Sequence, residues 1–339
     1  DLSDYVYWEH DVAKQVHPKE AAYWQQKMKN ASLLYVPDSY FLRSGETARS
    51  QAVELDRTLM DALARISLQY RVSLPMSLAA VIAITLHRLT SQNDICITTV
   101  FENRLYPDIK HLISPMMIPL PIRIQLSNET SFAGLIAQVK NTMLEAYGHA
   151  QASWAMPLYF LYRNLLPDNE VKKQERGIRF FTRLLTRLVY PAQSYPNLFY
   201  AALRSYAGKV NMNNGSAGDK HNSQSDSSFS QPGMEVRLNI ATNFYQTANS
   251  SDYKCGDVNF SRGALQAGMG LIAAQDNVLN YNFFKNKQGN PMIRIYGGRF
   301  TAPAYLLLTN SFRDVLITVV NNPDGDFVES LTEMTTKST

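Results

Sequence analysis

The sequence predicts an α/β fold with a mixed central sheet flanked by helices. Two observations carry this: runs of apolar residues at helical spacing, and short β-branched apolar runs set between them in chain order. Residues 1–30 read as an amphipathic helix with aromatics at Tyr5, Trp8, Tyr23 and Trp24. Residues 50–55 read as a short strand. Residues 56–70 space Leu59, Leu63 and Ile66 as a helix does, and 74–89 form a second helix, with Pro75 in the first turn where a missing N–H costs nothing. Residues 95–101, ICITTVF, are apolar on both faces, as a central strand is. Residues 121–126 give another strand, and Ser131 can cap a helix running to about Tyr147. Leading into the second of these strands is LISPMMIPLPIR, residues 112–123, an apolar run with three prolines that cannot be a regular helix.

Past residue 155 the pattern loosens. The segment 171–191, VKKQERGIRFFTRLLTRLVYP, arranges Lys172, Lys173, Arg176, Arg179, Arg183 and Arg187 around an apolar stripe. It reads as a solvated helix laid over the core, or as a membrane-surface or partner-binding helix. Residues 211–233 are low-complexity and polar, which predicts a flexible loop dispensable for folding. Strands are predicted at 235–243, 292–296 and 314–320, with a turn at Asn322-Pro323-Asp324-Gly325. The reading divides the chain into 1–160, 161–233 and 234–339, the last continuing the first.

A chain of 339 residues, 45% hydrophobic, can bury a sizeable core. Its net charge of +4 is too small to argue for nucleic acid, and none is expected as a partner. Two cysteines make no disulfide framework, so a reducing, cytoplasmic setting is expected. No run reaches the roughly 18 apolar residues of a spanning helix. The usual catalytic signatures are missing: no G-x-S-x-G, H-E-x-x-H, Walker loop or G-x-G-x-x-G occurs. No two histidines have the spacing of a zinc site, and no metal is expected. The chain starts Asp-Leu-Ser-Asp, which reads as a piece of something longer.

Three ordered stretches then carry a resemblance. LSDYVYW keeps Asp4, Tyr5 and Trp8 of a Y-x-D-Y-A-V-W motif and is followed by Tyr23-Trp24 and Val36-Pro37-Asp38. ISPMMIPLPIR aligns without a gap to I-G-F-F-V-N-T-L-P-L-R, keeping Ile113, Leu120, Pro121 and Arg123. HAQASWA keeps His149 of H-Q-D-V-P-F-E, with Trp154 in place of the Phe. The first 150 residues thus resemble the C-terminal lobe of condensation domains of nonribosomal peptide synthetases, in the chloramphenicol-acetyltransferase-like superfamily.

The resemblance implies a chloramphenicol-acetyltransferase-like lobe and an acyltransferase role. Amide (or ester) bonds would form between acyl or aminoacyl groups held as thioesters on the phosphopantetheine of acyl or peptidyl carrier proteins, with no cofactor bound directly. The second stretch would lead from a loop into a strand beside the substrate tunnel, with Ser114, Met116 and Ile118 on its wall. Here Ser114 replaces the family's Gly, Met116 a Phe and Ile118 the polar Asn. The family's H-H-x-x-x-D-G precedes the first motif and is not among these residues, so no catalytic residue is assigned. The N-terminal lobe bearing it would come in cis or in trans, and this chain alone would be inactive. By position, Arg104 would hold that motif's Asp and would here be exposed or borrow Glu102 or Asp108; Arg123 would support the lobe structurally. The alternative is a degenerate condensation-like module that docks carrier proteins or a partner enzyme without catalysis. A lipid-acyltransferase lobe of the same superfamily is a further possibility, since the apolar wall suits a fatty chain.

Overall fold

The computed structural model describes residues 2–41, 50, 52–104, 106–112, 116–127, 131–151, 155–166, 168–188, 195–216, 233–240, 252–255, 258–261, 278–297 and 300–325. The helices are α1 (Leu2–Lys27), α2 (Arg57–Gln69), α3 (Leu74–Thr90), α4 (Phe132–Gly148), α5 (Met156–Arg163), α6 (Asp168–Leu188), α7 (Tyr195–Ser216) and α8 (Ala302–Asn321). The strands are β1 (Ala52–Glu54), β2 (Asp94–Phe101), β3 (Ile118–Gln125), β4 (Glu235–Ile240), β5 (Asp252–Cys255), β6 (Val258–Ser261), β7 (Val278–Lys285) and β8 (Pro291–Tyr296). They fall into two compact units that interleave along the chain. One comprises residues 1–35, 92–127 and 138–233; the other comprises 36–91, 128–137 and 234–339.

In the first unit β2 and β3 pair antiparallel, from Asp94 opposite Gln125 to Phe101 opposite Ile118. Ile95, Cys96, Ile97, Thr98 and Thr99 are all buried, so both faces of β2 are covered, as its apolar run predicts. The prolines of the irregular stretch fit the strand because Pro119 and Pro121 share one parity. Their absent N–H groups then all point to the side away from β2, where no ladder bond is lost. Just before β3, Met116 is buried and Met117 exposed. Helices α5, α6 and α7 pack together, and α5 also lies on β3.

The second unit holds a mixed sheet in the order β1–β8–β7–β4, in which β7 and β4 run parallel and the other pairs antiparallel. Tyr281 and Phe283 of β7 meet Phe312 of α8 at ring distances of 6.4 and 5.6 Å. Helix α3 is buried without a break from Met76 to Leu86 and packs on α8. Asp56 caps α2 by accepting from Thr58 N at 2.7 Å. Ser131 caps α4 as expected, accepting from Gly134 N at 3.1 Å.

Three sequence expectations need correction. Residues 314–320, read as a strand, are the second half of α8. The β-branched run DVLITVV suggested a strand, but the apolar spacing Leu308, Phe312, Val315, Leu316, Val319 is helical, and Thr301 starts the helix by capping Ala304 N at 3.3 Å. Residues 211–216, placed in the polar loop, continue α7. Residues 217–232 of that predicted loop, and 241–243 of the predicted strand, lie outside the described residues. Strand β7 was not anticipated, although VLNYNFFK has strand character.

Candidate functional site

The motif stretches, scattered over 150 residues, converge in the first unit. On α1, Glu20, Tyr23, Trp24 and Lys27 recur at i, i+3, i+4 and i+7 and so share one face. All four engage the end of α4 and the residue after it. Trp24 Nε1 donates to the His149 carbonyl at 3.1 Å, and Tyr23 stacks on the His149 ring at 3.6 Å, 9° from parallel. Buried Glu20 meets His149 Nδ1 at 2.9 Å, and Lys27 pairs with Glu145 at 2.7 Å. Burial, helped by Glu145 and Glu20, pushes the Tyr23 phenol up to about 12. His149 is therefore a joint between the third motif and the Tyr23-Trp24 pair that follows the first. Trp154 lies outside the described residues.

A second junction forms at the N-terminal end of α1. Tyr5, Ile109 and Met116 make one buried apolar cluster with Leu112 packed on it. Trp8 stands between Tyr5 and Tyr106, at ring distances of 5.7 and 5.0 Å, and Gln151 Nε2 donates to the Tyr106 hydroxyl at 2.6 Å. Tyr5, Trp8, Glu9, Val12, Asn103, Tyr106, Ile109, Ala150 and Gln151 line a shallow pocket here. Burial raises the Glu9 carboxyl, and burial together with Glu9 and Tyr106 pushes the Tyr5 phenol up to about 12. Asn103 takes a left-handed conformation, φ +55°, which asparagine tolerates better than most side chains. The turn it makes delivers Arg104.

Arg104 is half-buried. Its Nη1 donates to the carbonyls of Ile109 (2.9 Å) and Leu112 (2.8 Å), and its Nε lies 3.5 Å from Glu102. The guanidinium thus ties Glu102, Ile109 and Leu112 together. Arg123 is held more tightly. Nε and Nη2 grip both oxygens of Asp94 at 2.6–3.0 Å, and Nη1 donates to the carbonyls of Lys27 and Lys29 at 3.1 and 2.9 Å. The fork makes a diagonal cross-strand pair. The carbonyls are those left unpaired where α1 ends, so a cation there also meets the negative end of the helix dipole. Asn164 completes that end by donating to the carbonyls of Met28 and Ala31 at 2.7 and 2.8 Å.

Of the three wall residues, Met116 and Ile118 are buried, Met116 in the Tyr5 cluster and Ile118 opposite Phe101. Ser114 lies outside the described residues. Sequence reasoning missed Glu20, Asp94 and Asn164. The helical spacing of Glu20 with Trp24 was the available signal for the first; Asp94 and Asn164 are found only once pairing and packing are known. Among the described residues, no group of three or more His, Cys, Asp and Glu is placed to hold a metal ion, and no single helix is long and apolar enough to cross a membrane.

A family model described as the condensation domain matches residues 1–213. The chain belongs to the condensation-domain family. Among similar proteins, gramicidin S synthase 2 of Brevibacillus brevis is 28% identical over 149 residues, 42% of this chain and 3% of that protein. Cyclosporin synthetase of Tolypocladium inflatum is 28% identical over 200 residues, 58% of this chain and 1% of that protein. The chain therefore spans only a few per cent of these relatives. A four-domain nonribosomal peptide synthetase, holo-AB3403, matches 93% of this chain and 20% of its own length with a TM-score of 0.59 at 11% identity. The SgcC5 protein of Streptomyces globisporus matches 96% of this chain and 60% of its own, TM-score 0.57 at 16% identity. The X-domain solved in complex with OxyB from teicoplanin biosynthesis matches 96% of this chain and 58% of its own, TM-score 0.56 at 16% identity. The fold is that of condensation domains.

Proposed function

We propose that this condensation-family chain serves as the C-terminal lobe of a two-lobed acyltransferase that joins two carrier-bound groups. The upstream lobe contributes the H-H-x-x-x-D-G histidine. In the proposed reaction the acceptor amine attacks the donor thioester, a C–N bond forms, and the C–S bond breaks to release the donor pantetheine thiol. The amine proton passes to the histidine and on to the thiolate, so nothing is consumed. Such a reaction needs chiefly positioning of two arms and orientation of the amine. The observation that carries the reading is the convergence of the family motifs at Tyr5, Asn103–Arg104, Met116 and His149, each held by its own packing or hydrogen bonds.

On this reading Arg104, tied down through Ile109 and Leu112, supports the carboxylate of the histidine motif across the lobes. Arg123 stiffens the lobe. Ser114, Met116 and Ile118 contribute to the passage for an apolar acyl group, methionine adapting to irregular surfaces. The test is to join the chain to an upstream lobe bearing H-H-x-x-x-D-G and supply acyl-loaded donor and aminoacyl-loaded acceptor carriers. Mass spectrometry should find the condensed product on the acceptor carrier from the two-lobed protein and none from this chain alone. No product from any loaded pair would contradict the reading.

A second reading, a docking module without catalysis, draws on two observations. Ile118 and Ser114 replace the family's Asn and Gly in the second motif, and a domain of similar fold, the X-domain, was solved bound to a partner protein. It predicts carrier or partner binding with no condensed product in the same assay.

A further inference from the structure

Helix α6 is anchored along one side only. Val171, Gln174, Glu175, Ile178 and Thr182, at i, i+3, i+4, i+7 and i+11, are buried or half-buried. That side is bonded to the fold: the Tyr159 hydroxyl donates to Glu175 at 2.5 Å, and Arg163 Nε lies 3.9 Å from the same carboxylate. The other side faces water and is not a polar surface. Phe180 is 73% exposed, Phe181 58% and Leu184 42%. At about 100° per residue the three fall within one arc of the helix. The adjoining arc holds exposed Lys172, Arg176 and Arg183, with Lys173 beside Phe180; Arg179, at its inner edge, lies over the Phe199 ring of α7 at 5.1 Å and belongs to the anchored side. Among the described side chains of α6 the acids are Asp168, at its start and 3.8 Å from Arg163, and the inward Glu175. The outward face is thus aromatic on one flank, cationic on the other, and without a described acid along its middle.

We propose that α6 is a membrane-surface contact: it lies on anionic lipid headgroups, with Phe180, Phe181 and Leu184 entering the boundary with the acyl chains. Amphipathic helices that rest in a bilayer interface combine large apolar side chains with lysine and arginine in this way. Charge complementarity requires an anionic occupant. Shape favours a lipid surface over a protein: the face is one convex helix side with two adjacent phenyl rings projecting. A headgroup layer can close around them, whereas a protein would need a matching acidic groove. The contact does not depend on the condensation reading, and either can fail without the other.

The experiment is co-sedimentation of the full chain with extruded vesicles of phosphatidylcholine, with and without about one quarter phosphatidylglycerol. Binding is expected only to the anionic vesicles and should weaken as salt rises, each cation near the surface being worth about fivefold in partitioning. The Phe180→Ser/Phe181→Ser and Lys172→Glu/Lys173→Glu/Arg176→Glu variants should each lose about tenfold or more. All five positions are exposed, so circular dichroism should be unchanged. Lys209→Glu, an exposed change on α7, should bind as wild type does. Absence of binding to anionic vesicles overturns the proposal. So does binding indifferent to the phenylalanine variant, which would be bulk charge adsorption. Binding of a purified acidic carrier protein that the same variants abolish, with no vesicle binding, overturns it in favour of a protein dock.

Discussion

Cys96 stands on β2 directly opposite Arg123, between Ile95 and Ile97, and is buried. Burial, aided by the neighbouring Asp94, pushes its thiol from 9.0 up to about 12, with Arg123 pulling the other way. The folded state therefore favours the neutral thiol. That contribution to stability is complete below pH 9 and declines as pH rises toward 12. With the thiol held that high, the thiolate fraction near pH 8 falls by roughly a thousandfold, and burial slows attack further. With Cys255→Ser leaving Cys96 as the sole thiol, iodoacetamide at pH 8 should label the native protein at least about a hundredfold more slowly than the protein in urea. Labelling within a few-fold of the unfolded rate would show that β2 is not enclosed.

At the scale of elements, the end of α1 decides whether this helix is seated. The Lys27 carbonyl that ends it, and those of Met28, Lys29 and Ala31 just past it, are taken by Arg123 and Asn164, residues that lie about 95 and 135 positions later and belong to a strand edge and a helix end. Removing the guanidinium strands Asp94 and reopens two carbonyls. Arg123→Ala should cost about 3 kcal/mol in denaturant unfolding. Arg123→Lys should recover only a minor part, because an ammonium cannot fork onto a carboxylate while also meeting two carbonyls. A lysine variant as stable as wild type would mean that charge alone matters there. The helices α2, α3 and α4 and the strands β2 and β3 were legible in the sequence because each has a clear period and a capping or strand-breaking residue at its border. Half of α8 was misread because β-branched residues favour strands locally, and a long buried helix overrides that preference. The end of α7 was misread because polar composition says little about whether a helix already begun will stop.

For the molecule as a whole, what could be read was the set of motif stretches and their order; what could not was how they meet. His149 could be singled out by position, yet its stacking on Tyr23 and its pairing with Glu20 depend on the seating of α1 against α4. Arg104 could be aligned, but its bonds to Ile109 and Leu112 depend on a turn that Asn103 makes with a positive φ. Both are long-range or backbone facts, which composition and periodicity do not encode. On the proposed function, this lobe supports, through Arg104, an active site whose histidine motif lies on another lobe. A double-mutant cycle on condensation rate in the two-lobed protein probes that support, pairing Arg104→Ala with alanine at the Asp of H-H-x-x-x-D-G. If the two groups form one unit, each single change removes most of the activity and the double change is hardly worse than either, a coupling of at least about 1 kcal/mol. Full activity in Arg104→Ala, or losses that simply add, would contradict it.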